Sequence, residues 1–303
     1  MTATDPAQAP VTTPDPAPAR LRAPVGRLLR AELRWIFRRP RTLVVLGLLT
    51  VLPVITGIAV DLTAGGAAPG AGGASPDGPP GGEPPIFVTM ATSAFVLPLG
   101  SLMTLLMLLL PLTVAMAAGD ALAGEQSHGA LRGWLLAPVA RGRLLVVKAV
   151  GVLAVALVAA TLVVASGFVT GLVLAGADNL ASMSGTELSV GEVLGRLAVA
   201  IAWATLYLMA VGAVALAISA STEHPMLVVV SVLGGLIVSG VLLQISALDW
   251  LHPYLLPQSL GSLVDLIRDP VATGGLGEGA FRSLCYLVIG MSLAYARLTT
   301  RDG

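Results

Sequence analysis

Six long stretches of this chain are apolar and contain no Asp, Glu, Lys, Arg or His: residues 42–60, 86–118, 149–177, 197–222, 225–248 and 283–296. Five reach the 18 or more residues that a membrane-crossing helix needs. The sixth is shorter and spans only if Arg282 and Arg297 at its ends snorkel to the interfaces. No soluble fold accommodates such runs. Only 11% of the 303 residues are charged against 55% hydrophobic, where soluble chains carry about 25% charged. The reading is an all-α integral membrane protein with spans at about 42–60, 86–118, 147–175, 196–220, 225–248 and 281–298. The 86–118 stretch, about 50 Å as helix, exceeds a bilayer core and must tilt or kink, with Pro98 and Pro111 the expected kink points.

The segments between the runs set the topology. Residues 1–24 are rich in Pro, Ala and Thr, have nothing to bury, and read as a disordered tail rather than a cleavable signal. In 25–41, Arg27, Arg30, Arg34, Arg38 and Arg41 recur at spacings of three and four, which places them on one helical face. Val25, Leu29, Leu33 and Ile36 fall on the other. Such a helix lies in the interface, arginines toward lipid phosphates. The positive-inside rule puts this end in the cytoplasm. Fourteen Lys and Arg then collect inside, counting Arg132, Arg141, Arg143 and Lys148 between the second and third runs and Arg297 and Arg301 after the last span. Arg196, Arg268 and Arg282 remain outside. With six spans both termini are cytoplasmic, and 249–280 is the largest extracellular segment. Its apolar piece at 255–267, interrupted by Pro257, Gly261 and Asp265, reads as interfacial or re-entrant.

The uncharged spans disfavour an ion-coupled secondary transporter, which keeps an ionisable carrier in the membrane. No paired carboxylates or HExxH pattern suggests a hydrolase. The lone lysine, Lys148, lies between Val147 and Ala149, so the chain has no P-loop, which requires Gly-Lys followed by Ser or Thr. Energy for any driven process must come from another chain. Cys285 is the single cysteine, and no intrachain disulfide is possible. Ser166-Gly167 and Ser239-Gly240 read as close-packing positions between helices.

The cytoplasmic segment 119–148, GDALAGEQSHGALRGWLLAPVARGRLLVVK, carries a resemblance. Asp120, Glu125, Gly129-Ala130-Leu131, Leu135-Leu136, Pro138-Val139-Ala140-Arg141 and Lys148 resemble the signature of ABC-2 type permeases, the membrane subunits of ATP-binding cassette exporters. Ala130 replaces the family's usual Thr and Ala140 its usual Ser. Residues 31–43 are similarly like that family's elbow helix. The resemblance implies a plasma-membrane half-transporter that pairs with a second permease chain, identical or closely related. Two copies of an ATP-binding subunit would dock beneath and bind the ATP and magnesium, this chain holding no cofactor or metal and no catalytic residue. It implies a coupling helix around Glu125, with Asp120, Glu125, His128 and Arg132 contacting the ATPase, while Arg27, Arg30, Arg34 and Arg38 anchor the elbow. Lipids are the other expected partner, and nucleic acid is not one. A non-transporting membrane scaffold or assembly subunit is the alternative, and it should tolerate charge reversal at Glu125.

Overall fold

A computed structural model describes residues 25–65, 93–124, 141–176 and 188–300. All regular structure among them is helical. The α-helices are α1 (Val25–Arg38), α2 (Pro40–Gly65), α3 (Val96–Met107), α4 (Leu109–Ala121), α5 (Arg141–Ala175), α6 (Val190–Ser219), α7 (Pro225–Leu242) and α8 (Thr273–Thr300). Three 3₁₀ segments, Ser246–Leu248, His252–Tyr254 and Leu256–Leu266, join α7 to α8. Helices α2, α5, α6, α7 and α8 are each long and apolar enough to cross a membrane, and α3–α4 makes a sixth span if its two arms cross as one. The chain is a multi-pass membrane protein.

Helix α6 is the centre of the bundle, packed along α8, α4 and α5, while α7 is the least buried span. Glycines let the helices touch backbone to backbone. A Cβ on Gly290 of α8 would lie 2.7 Å from the Ala213 carbonyl carbon of α6, and one on Gly171 of α5 would lie 2.8 Å from Ala94. Gly167, four residues before Gly171, meets Pro98 in the same way. This small-xxx-small spacing supports close packing where lipid offers no hydrophobic drive between helices. Ser239-Gly240 does not act so, since Gly240 faces open space. Large apolar side chains on α2, α7 and α8, such as Leu48, Val230 and Val288, point outward, as lipid-facing positions do.

Several boundaries differ from the sequence reading. The amphipathic stretch ends at Arg38 and α2 begins at Pro40, because a proline disfavours helical geometry in the residue before it. Arg41 therefore belongs to α2. The α3–α4 pair bends by 52°, and the break is at Leu108, with φ −142°. Pro111 removes the donor to the Met107 carbonyl, so its effect falls one turn upstream of the ring. Pro98 lies in the first turn of α3, where that donor is not needed, and makes no kink. Helix α7 stops at Leu242 rather than 248. Gln244 and Ile245 donate to carbonyls three residues back, 3.0 and 3.2 Å away, tightening the chain into 3₁₀ form, and the His252 ring lies 3.1 Å from the Leu242 carbonyl oxygen. Helix α8 begins at Thr273, so the segment 249–280 loses its last eight residues to a helix and Arg282 lies inside a 28-residue span. Helix α6 begins at Val190. Its start is fixed by a capping box: Ser189 accepts from the Glu192 N–H and Glu192 accepts from the Ser189 N–H. The 255–267 piece is 3₁₀, with Leu260, Leu263 and Leu266 buried at the three-residue repeat of that helix.

Candidate functional site

One end of the bundle gathers α1, the end of α4, the start of α5, the end of α6 and the start of α7. The last turns of α8 join them: a Cβ on Gly142 would lie 3.3 Å from the Tyr295 ring. This end carries Arg27, Arg30, Arg34, Arg38, Arg39, Arg41, Arg141, Arg143, Lys148 and Arg297, whereas Arg196, Arg268 and Arg282 lie toward the other.

Helix α1 is amphipathic in the structure. Arg27, Arg30, Arg34 and Arg38 are exposed, and Leu29, Leu33, Ile36 and Phe37 turn inward. The four arginines, with Trp35 and Arg39, line an open groove of about 660 Å³. Glu32 breaks the pattern, a carboxylate on the inward face. Its reason is Lys148, on the third turn of α5, whose ammonium lies 2.9 Å from one Glu32 oxygen and 3.1 Å from the other. Gly151 makes room for the crossing, since a Cβ there would lie 2.9 Å from Ile36 Cδ1 and 3.4 Å from Glu32 Cγ.

A second ionic contact joins the α1–α2 corner to α4. Asp120 lies in the last turn of α4, where the macrodipole disfavours a negative charge. Arg39 offsets this at 3.0 Å and Arg41 at 3.7 Å. The Arg39 guanidinium also stacks 3.3 Å above the centre of the Trp35 ring, with the Lys148 ammonium 5.7 Å from the same ring. Ser219, at the end of α6, is fully buried and holds the end of α4. It donates to the Gly119 carbonyl at 3.3 Å and accepts from the Ala123 N–H at 3.0 Å, serving groups that a helix terminus leaves open.

Asp120 precedes the 125–140 stretch and Lys148 follows it. Both flanks of one connection are thus held: Asp120 by Arg39 and Arg41 at the corner of α1 and α2, and Lys148 by Glu32 in the middle of α1. No protein-family model matches the chain, and no curated protein is similar to it in sequence. Among the described residues no group of three or more His, Cys, Asp or Glu is arranged to hold a metal ion.

Of the expected contact residues, Asp120 is occupied by Arg39 and Arg41. Glu125, His128 and Arg132 lie outside the described residues. Of the expected anchors, Arg27, Arg30, Arg34 and Arg38 share the exposed face of α1. The sequence reading missed Glu32, Trp35, Arg39 and Ser219. Glu32 had a signal: it is the one acid in an arginine-rich helix, and its position, three after Leu29 and four before Ile36, puts it on the apolar face. An acid there calls for a cation from elsewhere, and the chain has one lysine.

Proposed function

We propose that the chain is the membrane subunit of an ATP-binding cassette exporter of the ABC-2 type. In this reading six spans follow α1, which is the interfacial elbow, and both termini face the cytoplasm of a cell bounded by the plasma membrane in which the protein sits. A second permease chain completes the pathway, and two ATP-binding subunits supply the hydrolysis. The observation that supports it most is the pair of ionic contacts that hold Asp120 to the α1–α2 corner and Lys148 to Glu32 of α1. A connection that must receive force from a soluble partner needs rigid attachment to a span and to an interfacial helix. Here the 125–140 stretch is flanked by ion pairs that tie it to α1 and, through Arg41, to α2. Glu125, His128 and Arg132 would meet the ATPase, where charged contacts set orientation and register more than affinity.

Affinity purification of tagged protein in mild detergent tests this, wild type beside Glu125→Arg. The expected result is an ATP-binding cassette subunit in equal stoichiometry with the wild type and depleted in the variant. A clean preparation of both, under conditions where other such complexes survive, overturns the reading in favour of a scaffold.

A further inference from the structure

The 52° bend between α3 and α4 leaves a crease against α2. A cavity of about 290 Å³ fills it, lined by Pro53 and Thr56 of α2, Ser101, Thr104 and Leu105 of α3, and Leu109 beyond the break. That size is at the small end of the ~300–1,000 Å³ typical of small-molecule sites. No charged side chain lines it. Thr56 and Ala59 of α2 and Thr104 of α3, all in its wall, are exposed, so its surroundings in a multi-pass protein are lipid.

Ser101 makes this more than a gap in packing. Its residue is only 7% exposed, and among the described residues it is the one buried Ser or Thr whose hydroxyl has no hydrogen bond. Ser93, Thr113, Thr170, Thr205, Ser219, Ser259 and Ser283 all have one. Its neighbour Thr104 donates back to the Gly100 carbonyl at 2.9 Å, the usual recourse of a helical hydroxyl in apolar surroundings. Ser101 makes no such bond and lines the cavity instead. An unpaired hydroxyl in an apolar site is unfavourable unless something fills the site and accepts from it.

We propose that the crease holds one acyl chain of a bilayer glycerolipid, with a chain ester carbonyl accepting from the Ser101 hydroxyl. The position suits this. Ser101 is about 7.5 Å of helix rise from the start of α3 at Val96, and Val60 on the cavity rim is two residues from the end of the α2 span at Leu62. The hydroxyl thus lies near the end of the bundle, where acyl chains meet their esters, and the apolar wall runs inward from it to Leu52 and Leu109. The occupant needs no charge recognition, only an alkyl chain and one acceptor. This inference depends on the membrane-spanning character alone and not on the exporter reading.

The test uses the full chain in lipid nanodiscs doped with phosphatidylcholine bearing a photoactivatable diazirine on one acyl chain. The probe is used in ester-linked and ether-linked forms, and adducts are mapped by peptide mass spectrometry. Adducts from the ester probe should concentrate on 52–60 and 97–109 relative to the lipid-facing helix α7. The ether probe and the Ser101→Ala variant should each lower them roughly 2- to 10-fold, the worth of one hydrogen bond, and in Ser101→Ala the two probes should label alike. Adducts no denser in the crease than on α7, or unchanged in Ser101→Ala, overturn the proposal. So do crosslinks from the crease to a second copy of the chain in place of lipid adducts.

Discussion

The Lys148 ammonium lies between the two carboxylate oxygens of Glu32, at 2.9 and 3.1 Å, with the lysine side chain 1% and the glutamate 14% exposed. This lysine, two turns into a membrane-spanning helix, is therefore not snorkelling to water. It is neutralised by a helix lying across it, and the crossing is possible because Gly151, one turn on, has no side chain. A charge pair so far from water contributes little net stability compared with an apolar pair of the same shape, but removing one partner is severe.

Glu32→Gln should therefore destabilise the protein by about 3–5 kcal/mol, whereas the Glu32→Leu, Lys148→Met double variant should recover most of the loss. Thermal unfolding of the purified protein in one detergent checks both. Equal destabilisation by the single and the double variant would show that α1 is held by packing and not by the pair.

Glycines offer a sharper contrast. Gly290→Ala puts a methyl 2.7 Å from the Ala213 carbonyl carbon and 2.9 Å from the Val214 nitrogen, and backbone cannot yield as a side-chain tip can. Overpacking of this kind typically costs about 1–3 kcal/mol. Gly235→Ala in α7 meets nothing within 4 Å and should leave stability unchanged or raise it by up to ~1 kcal/mol through helix propensity. Melting temperatures of the two variants should move in opposite directions or differ by several degrees, with Gly290→Ala the lower.

The spans were legible because their signal is uncharged length, which no packing detail can hide. Their ends were less so. The break at Leu108 lies a turn upstream of Pro111, since a proline acts on the carbonyl four residues before it. Four glycines in Thr273–Gly279 disguise the start of α8 as loop, yet Gly279 is where the helix passes under Trp203 and Ser259, 2.8 Å from each for an added Cβ. The Ser189–Glu192 box stands in the sequence as S-x-x-E and marks the start of α6 upstream of the uncharged run 197–222. The ionic corner was half legible: the arginine face follows from spacing alone, but the partner of an inward-facing acid 116 residues away from its lysine is set by tertiary packing.

Arg196 closes the opposite end of the bundle. One of its nitrogens donates to the Leu266 and Arg268 carbonyls at 3.3 and 3.0 Å, and the other to Asp269 at 2.9 Å. That three-way grip needs the planar fork of a guanidinium, and lysine cannot reproduce it. Arg196→Lys should loosen the 3₁₀ segment Leu256–Leu266 against α6. Loss of a charge-assisted bond, about 1.5–3 kcal/mol, corresponds to roughly ten- to hundred-fold faster amide exchange in residues 256–269. Hydrogen–deuterium exchange resolves this directly, and exchange unchanged there while the variant stays folded would remove Arg196 from the role.

The distribution of basic residues between the two ends predicts which end faces the cytoplasm. Moving an arginine-rich, acid-poor end outward opposes the bias that sets membrane orientation, so α1 should be inside and the Trp250–Tyr254 turn outside. Trp250 and Tyr254 are 69% and 67% exposed, as aromatic side chains at a membrane–water boundary are. In a Cys285→Ser background, Trp250→Cys should react with a membrane-impermeant maleimide on intact cells. Arg30→Cys, on the exposed face of α1, should react only after the membrane is opened. Labelling of Arg30→Cys on intact cells with protection of Trp250→Cys would invert the topology. It would also remove the 125–140 connection from the compartment that contains ATP, and with it the basis for coupling that connection to an ATPase.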